Sequence, residues 1–214
     1  MSVWGRYLAL GSGAAPEPLV PYLQYVRTNY SNFALVLYDW VYDLADTWEL
    51  VFKQNGQGGT WPRLVATQTS MDGAALFSQY TLDGSNPGMT FVYNGANSRF
   101  VSYSSPYDYD SYYKLRCSAG DISILKGSSL SSITELAGET VFDAAEGDTG
   151  LPIYLFTDSS QSRFVLDVNF YSLTAWRRGI KIHEYLPIAD GVHDAVTGVE
   201  YTVLTTGHIN GPAI

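Results

Sequence analysis

Two runs in the last quarter of the chain alternate so strictly that strands are the only regular structure they fit. In Phe164–Tyr171, Phe164, Leu166, Val168 and Phe170 point one way, and Val165, Asp167, Asn169 and Tyr171 point the other. In the next run Ile180, Ile182, Leu186 and Ile188 share one face, expected to be buried. Lys181, His183 and Tyr185 share the opposite face, expected to meet solvent, so His183 reads as a surface residue. A chain built from such units must bury one side of each strand against a second sheet.

The rest of the sequence agrees. Phe33–Tyr38 is apolar and rich in β-formers, and Thr47–Lys53 places Trp48, Leu50 and Phe52 on one face. Met89–Tyr93 runs into Asn94-Gly95, a hairpin turn, with Arg99–Tyr103 as the return strand. Tyr112–Cys117 and Asp121–Leu125 pair around Ala119-Gly120. Turn signals recur at roughly 8–12 residues, the sandwich spacing. Helical periodicity is confined to Leu130–Leu136, which fits one turn, and to Val41–Ala45, where β-branched and aromatic neighbours oppose it. The expected fold is all-β, a two-sheet antiparallel sandwich, and 214 residues suit one such domain.

At the N-terminus a short strand and the Gly- and Pro-rich stretch Gly11–Pro18 precede that sandwich, which is expected to occupy residues 19–214. Residues 1–18 are either a docking segment for other proteins or an extra edge strand folded onto the domain.

Charge limits the partners. With a net charge of −9, and no basic run longer than Arg177-Arg178, the chain lacks the basic face that nucleic acid requires. An anionic membrane would repel it, and no segment has the ~18 apolar residues of a membrane helix. Charged residues are only 15% and aromatics 14%, with 17 tyrosines, which favours an ordered, contact-capable surface over disorder. Neutral sugars and protein partners are compatible with such a surface. Cys117 is the single cysteine and alternates with Leu115 and Tyr113, so it reads as a small buried apolar residue.

The C-terminal block carries a resemblance. Pro152-Ile-Tyr-Leu-Phe156, Asp167–Thr174, Leu186-Pro-Ile-Ala-Asp-Gly191, and Asp194-Ala-Val-Thr-Gly198 with Tyr201 follow one another in the order seen in a known family. Leu19–Thr28 is similar to that family's opening strand. In this respect the chain resembles the concanavalin A-like lectin/glucanase superfamily, in its laminin-G-like jelly-roll branch. The resemblance implies a concanavalin A-like jelly roll of the kind found in phage tail or fibre proteins and gut bacterial surface proteins, where such domains bind or build. It implies a glycan or host surface receptor as ligand, a virion location or alternatively a bacterial cell surface, and compatibility with a homo-oligomer. A purely structural decoration role and a glycosidase role stay open beside it. The absence of a secretion signal, a sorting motif and a second domain favours the phage setting.

The motif's residues also have a local reading. Pro187 lacks a ladder donor and is expected to end a strand. Gly198 can take positive φ in a turn. Asp194 is placed to accept from amides two or three residues on, a folding role and not a catalytic one.

No catalytic signature is present. The superfamily's hydrolases carry spaced carboxylates on one strand face, and no such run occurs. His183, His193 and His208 are too scattered for a zinc motif. No cofactor is required by these residues, although calcium suits two acidic runs: Asp108 and Asp110 with Ser111, and Asp143, Glu146 and Asp148. Either run is also consistent with a solvated acidic loop. The richest candidate binding surface is Ser104–Tyr113, where Tyr107, Asp108, Tyr109, Asp110, Tyr112 and Tyr113 combine flat rings with hydrogen-bonding groups. A subunit interface and ordinary strand packing are its other readings. Trp61, in a Gly-rich loop, is a second exposed-aromatic candidate.

Overall fold

The computed structural model describes residues 22–28, 35–43, 46–55, 63–66, 77–81, 88–93, 97–102, 109–118, 121–141, 148–156, 167–203 and 207–214. These residues form two antiparallel sheets. The larger, ten-stranded sheet follows the order β10 (Glu135–Val141), β9 (Asp121–Gly127), β8 (Tyr112–Ser118), β3 (Thr47–Gln54), β12 (Val168–Arg177), β13 (Ile180–Ile188), β14 (Gly191–Asp194), β15 (Glu200–Thr202). Two short strands, β1 (Val26–Arg27) and β16 (Ile209–Asn210), join it through β12. The smaller sheet has six strands in the order β2 (Leu35–Asp43), β11 (Asp148–Leu155), β4 (Arg63–Ala66), β5 (Phe77–Thr81), β6 (Gly88–Tyr93), β7 (Asn97–Ser102). The all-β sandwich read from the sequence is the architecture observed.

Alternation decides what lies between the sheets. β3 buries Trp48, Leu50 and Phe52 completely, and cross-strand neighbours on β8, Cys117, Leu115 and Tyr113, lie against them. The smaller sheet contributes Leu35, Leu37, Ile153 and Leu155. The hairpins expected around Asn94-Gly95 and Ala119-Gly120 pair Tyr93 with Asn97 and Ser118 with Asp121. Leu130–Ser132 forms a single 3-10 turn, whereas Val41 continues β2 as strand and does not begin a helix.

Proline marks two departures from regular pairing. On β11, Pro152 pairs with Val41 and the next residue, Ile153, pairs with Leu37. Tyr38, Asp39 and Trp40 therefore bulge from β2 between consecutive β11 positions. Pro187 lies inside β13, which runs on to Ile188 and stays paired with β14 through Pro187 and Val192. The expectation that Pro187 ends the strand is corrected: it ends the pairing on one side only.

The first and last described segments meet. Leu23 bridges Ala213, β1 pairs with β16, and Gly211 N donates to Tyr25 O at 3.0 Å. Gly211 has no room for a side chain, since a Cβ there would lie 2.7 Å from that carbonyl oxygen. On its other side β1 pairs with the start of β12, where Arg27 forms an ion pair with the buried Asp167.

Candidate functional site

The large sheet forks at Pro187. β12 and β13 pair from Arg177 and Ile180 up to Leu173 and Tyr185. The next steps would set Tyr171 opposite Pro187, which has no N–H to give. The Pro187 carbonyl accepts instead from Leu23 N at 2.9 Å, and β12 takes β1 as its partner from Phe170. In the opening lies a groove of about 510 Å³, lined by Tyr22, Leu23 and Gln24 along one wall and by Val51, Ser172 and Leu186 from neighbouring strands. Leu130 and Ile214 also border it, and they are 41% and 82% exposed.

A bulge supplies the groove's aromatic wall. Phe170 pairs with Phe52 and Ser172 with Val51, so Tyr171 is an extra residue on β12. Bulges of this kind re-aim side chains beside sites. The Tyr171 ring lies 5.5 Å from that of Tyr112 and 5.8 Å from that of Tyr25, with Lys53 Nζ 5.1 Å above Tyr112. Burial first, and the neighbouring Tyr112 next among the raising causes, push the Tyr171 hydroxyl up to about 12, so it stays protonated at neutral pH.

A second polar cluster lies where the β2 bulge meets β13 and β14. Asp194 is fully buried and accepts four hydrogen bonds. Its Oδ1 takes Glu184 N at 2.9 Å and Val196 N at 3.0 Å; its Oδ2 takes Thr197 Oγ1 at 2.8 Å and lies 2.7 Å from His183 Nδ1. Asp39 accepts from Tyr185 Oη at 3.0 Å and from Thr197 Oγ1 at 3.3 Å. His183 is therefore not the surface residue that strand parity implied. It is 6% exposed, and Tyr185 is wholly buried on the same side. Both can enter the interior because Asp194 pairs with His183 Nδ1 and Asp39 accepts from Tyr185 Oη. Donor atoms of Asp39, His183 and Asp194 lie within 4.8 Å of one another, a set that could hold a divalent ion. The four donors already on Asp194 compete with any such ion, and calcium prefers an all-oxygen shell.

No family model matches the sequence, and no curated protein matches it. Among solved structures, the enzymatically active domain of bacteriophage CBA120 tailspike protein 2 overlays 70% of this chain at a TM-score of 0.52 and 9% identity. Domains LG4-5 of the mouse laminin alpha1 chain overlay 90% of it, also at 0.52, with 16% identity. The chain has the concanavalin A-like jelly-roll fold. It spans only 24% of the tailspike domain and 47% of the laminin pair.

Within this jelly roll the residues expected to bind ligand separate. Tyr112 stands on the outer face of the large sheet against Tyr171. Tyr109 is half-buried and Asp110 exposed in the turn before β8. Tyr113 is 1% exposed and stacks on Phe52 at 5.8 Å, so it belongs to the core and leaves the ligand set. The alternation that buried Cys117 required this, since the two share a face. Tyr107, Asp108 and Trp61 lie outside the described residues, as do residues 1–18 and the acidic positions Asp143 and Glu146. Ser111 is buried beside Asp110, and Asp148 starts β11. The jelly roll adds Tyr22, Tyr25, Tyr171, Ser172, Leu186 and Pro187 to the picture. For Tyr171 the signal was present in its outward parity; for Pro187 it was the missing donor.

Proposed function

We propose that this jelly roll is a non-enzymatic module of a virion that attaches the particle to host glycan through the groove at the sheet fork. The observation that carries the reading is the bulge that turns Tyr171 outward beside Tyr112 over a groove of about 510 Å³. Flat phenol rings offer a sugar face contact at small entropic cost, and the volume is that of a small-molecule site. None of the groove's described lining residues has a carboxylic acid side chain, whereas glycoside hydrolysis needs an acid and a second carboxylate. That the same fold occurs in a phage tailspike supports the virion setting. Among the described residues no helix is long and apolar enough to cross a membrane.

Tyr171→Ala and Tyr112→Ala are each expected to weaken binding on a glycan array by about ten-fold or more, the scale of one lost aromatic contact, with circular dichroism unchanged. The tyrosine contacts need no ion, so chelation is expected to leave binding intact, and loss of binding in a chelator would bring calcium into the site. Array binding that survives both substitutions would remove the groove from the proposal.

Residues 1–18 are proposed as the segment that docks to other virion proteins. A chain lacking them is expected to be missing from purified particles, and normal incorporation would refute that part.

A further inference from the structure

Resting on that reading, we infer that the groove selects an uncharged sugar ring bearing a methyl group, as in N-acetylated or 6-deoxy sugars. Three observations lead there. First, none of the described lining residues has a charged side chain, although the chain as a whole carries −9. Among these side chains an anionic sugar meets no cation, Lys53 being held over Tyr112 outside the lining, and the net negative charge opposes its approach; a cationic ligand meets no carboxylate side chain there.

Second, the polar side chains among the described lining residues are few and partly committed. Besides backbone, these residues carry the polar side chains of Gln24, Ser172, Tyr22 and Tyr171. The Tyr171 hydroxyl already accepts from Asn169 Nδ2 at 3.4 Å and interacts with the side chain of Tyr112. A hexose with hydroxyls on every side would press several of them against aliphatic carbon with no partner to replace water.

Third, that aliphatic surface is concentrated. Val51 and Leu186 contribute from the strands on either side of β12, Pro187 closes the fork, and the exposed side chains of Leu130 and Ile214 stand at its border. An acetyl or 6-methyl group removes this surface from water while the ring face rests on Tyr171 and the remaining hydroxyls reach Gln24 and Ser172. The N-acetyl and 6-deoxy classes share this methyl and differ in where it hangs, which the ligand panel separates.

The test is isothermal titration of the full chain with four neutral oligosaccharide sets: N-acetylglucosamine oligomers, 6-deoxyhexose oligomers, and the glucose and galactose oligomers that lack the methyl. One methyl-bearing set is expected to bind about ten-fold or more tightly than its parent, the discrimination one methyl gives in an apolar pocket. Val51→Thr, which keeps the shape and adds a hydroxyl, is expected to reduce that ratio toward one while the parent's affinity holds. Equal affinity for methylated and parent sugars overturns the selectivity and leaves glycan attachment standing. Binding of none of the four sets, or capture of aliphatic peptides only, overturns attachment as well.

Discussion

Asp194→Ala is expected to destabilise the protein by about 4 kcal/mol, the cost of breaking a buried charged network from one side. The substitution strands two backbone amides, Glu184 N and Val196 N, and the Nδ1 of His183, and leaves Thr197 Oγ1 with Asp39 as its acceptor. Urea unfolding reads the loss directly; a change under about 1 kcal/mol would mean that water replaces the carboxylate without penalty. The pH dependence gives a second readout. Burial alone would raise the Asp194 carboxyl, but the hydrogen bonds from His183, Glu184, Val196 and Thr197 overcome it and hold the group at about 2, below its ordinary 3.8. A depressed folded-state value means that the stability is present above 3.8 and lost as pH falls through about 2. The shift corresponds to about 2 kcal/mol. The stability gap between wild type and Asp194→Ala should narrow by that amount between about pH 5 and about pH 1.5. A constant gap would contradict the assignment of an ionised, hydrogen-bonded carboxylate.

Arg177→Ala is expected to cost about 3 kcal/mol. Asp46 is fully buried and holds the guanidinium through Nε at 2.7 Å and Nη2 at 2.8 Å, while also accepting from Trp40 Nε1 at 3.0 Å. Removing Arg177 leaves that carboxylate inside with neutral donors only. The arginine side chain is 40% exposed, so water screens part of the attraction and the cost stays below that of a dry pair. Arg177 also caps the Val41 carbonyl at 2.9 Å, beside the β2 bulge. Neutralising the survivor should recover part of the loss: Asp46→Asn in the Arg177→Ala background is expected to be more stable than Arg177→Ala alone. If the double variant is weaker than the single one, hydrogen bonding and not charge holds this corner.

These two networks show how far a sequence reaches. The roles of Trp48, Leu50, Phe52 and Cys117 were legible because each strand buries one face and exposes the other. Asp194 was legible because its partner Val196 is two residues away, and Gly198, at φ +79°, takes the turn conformation that its position demanded. β13 was misread because both its faces carry large side chains, and the polar-looking one is satisfied from other strands, His183 by Asp194 and Tyr185 by Asp39, which is remote in sequence. Hydrophobicity alone cannot choose a face when a buried phenol and imidazole have partners elsewhere. Pro187 announced a missing donor, but which neighbour would lose the bond depends on pairing across the sheet. The groove was invisible for that reason: it is made of an absent hydrogen bond, an extra residue at Tyr171 and a segment from the other end of the chain.

That last ingredient bears on when the site comes into being. The wall formed by Tyr22, Leu23 and Gln24 is held by Pro187, Pro212 and Ala213, so contacts between segments distant in sequence must close before the groove has two sides. Such contacts pay the largest loop-closure entropy and are slow to form. The groove is therefore a feature of the completed fold, and a chain whose first and last described segments have not yet met has only one of its walls.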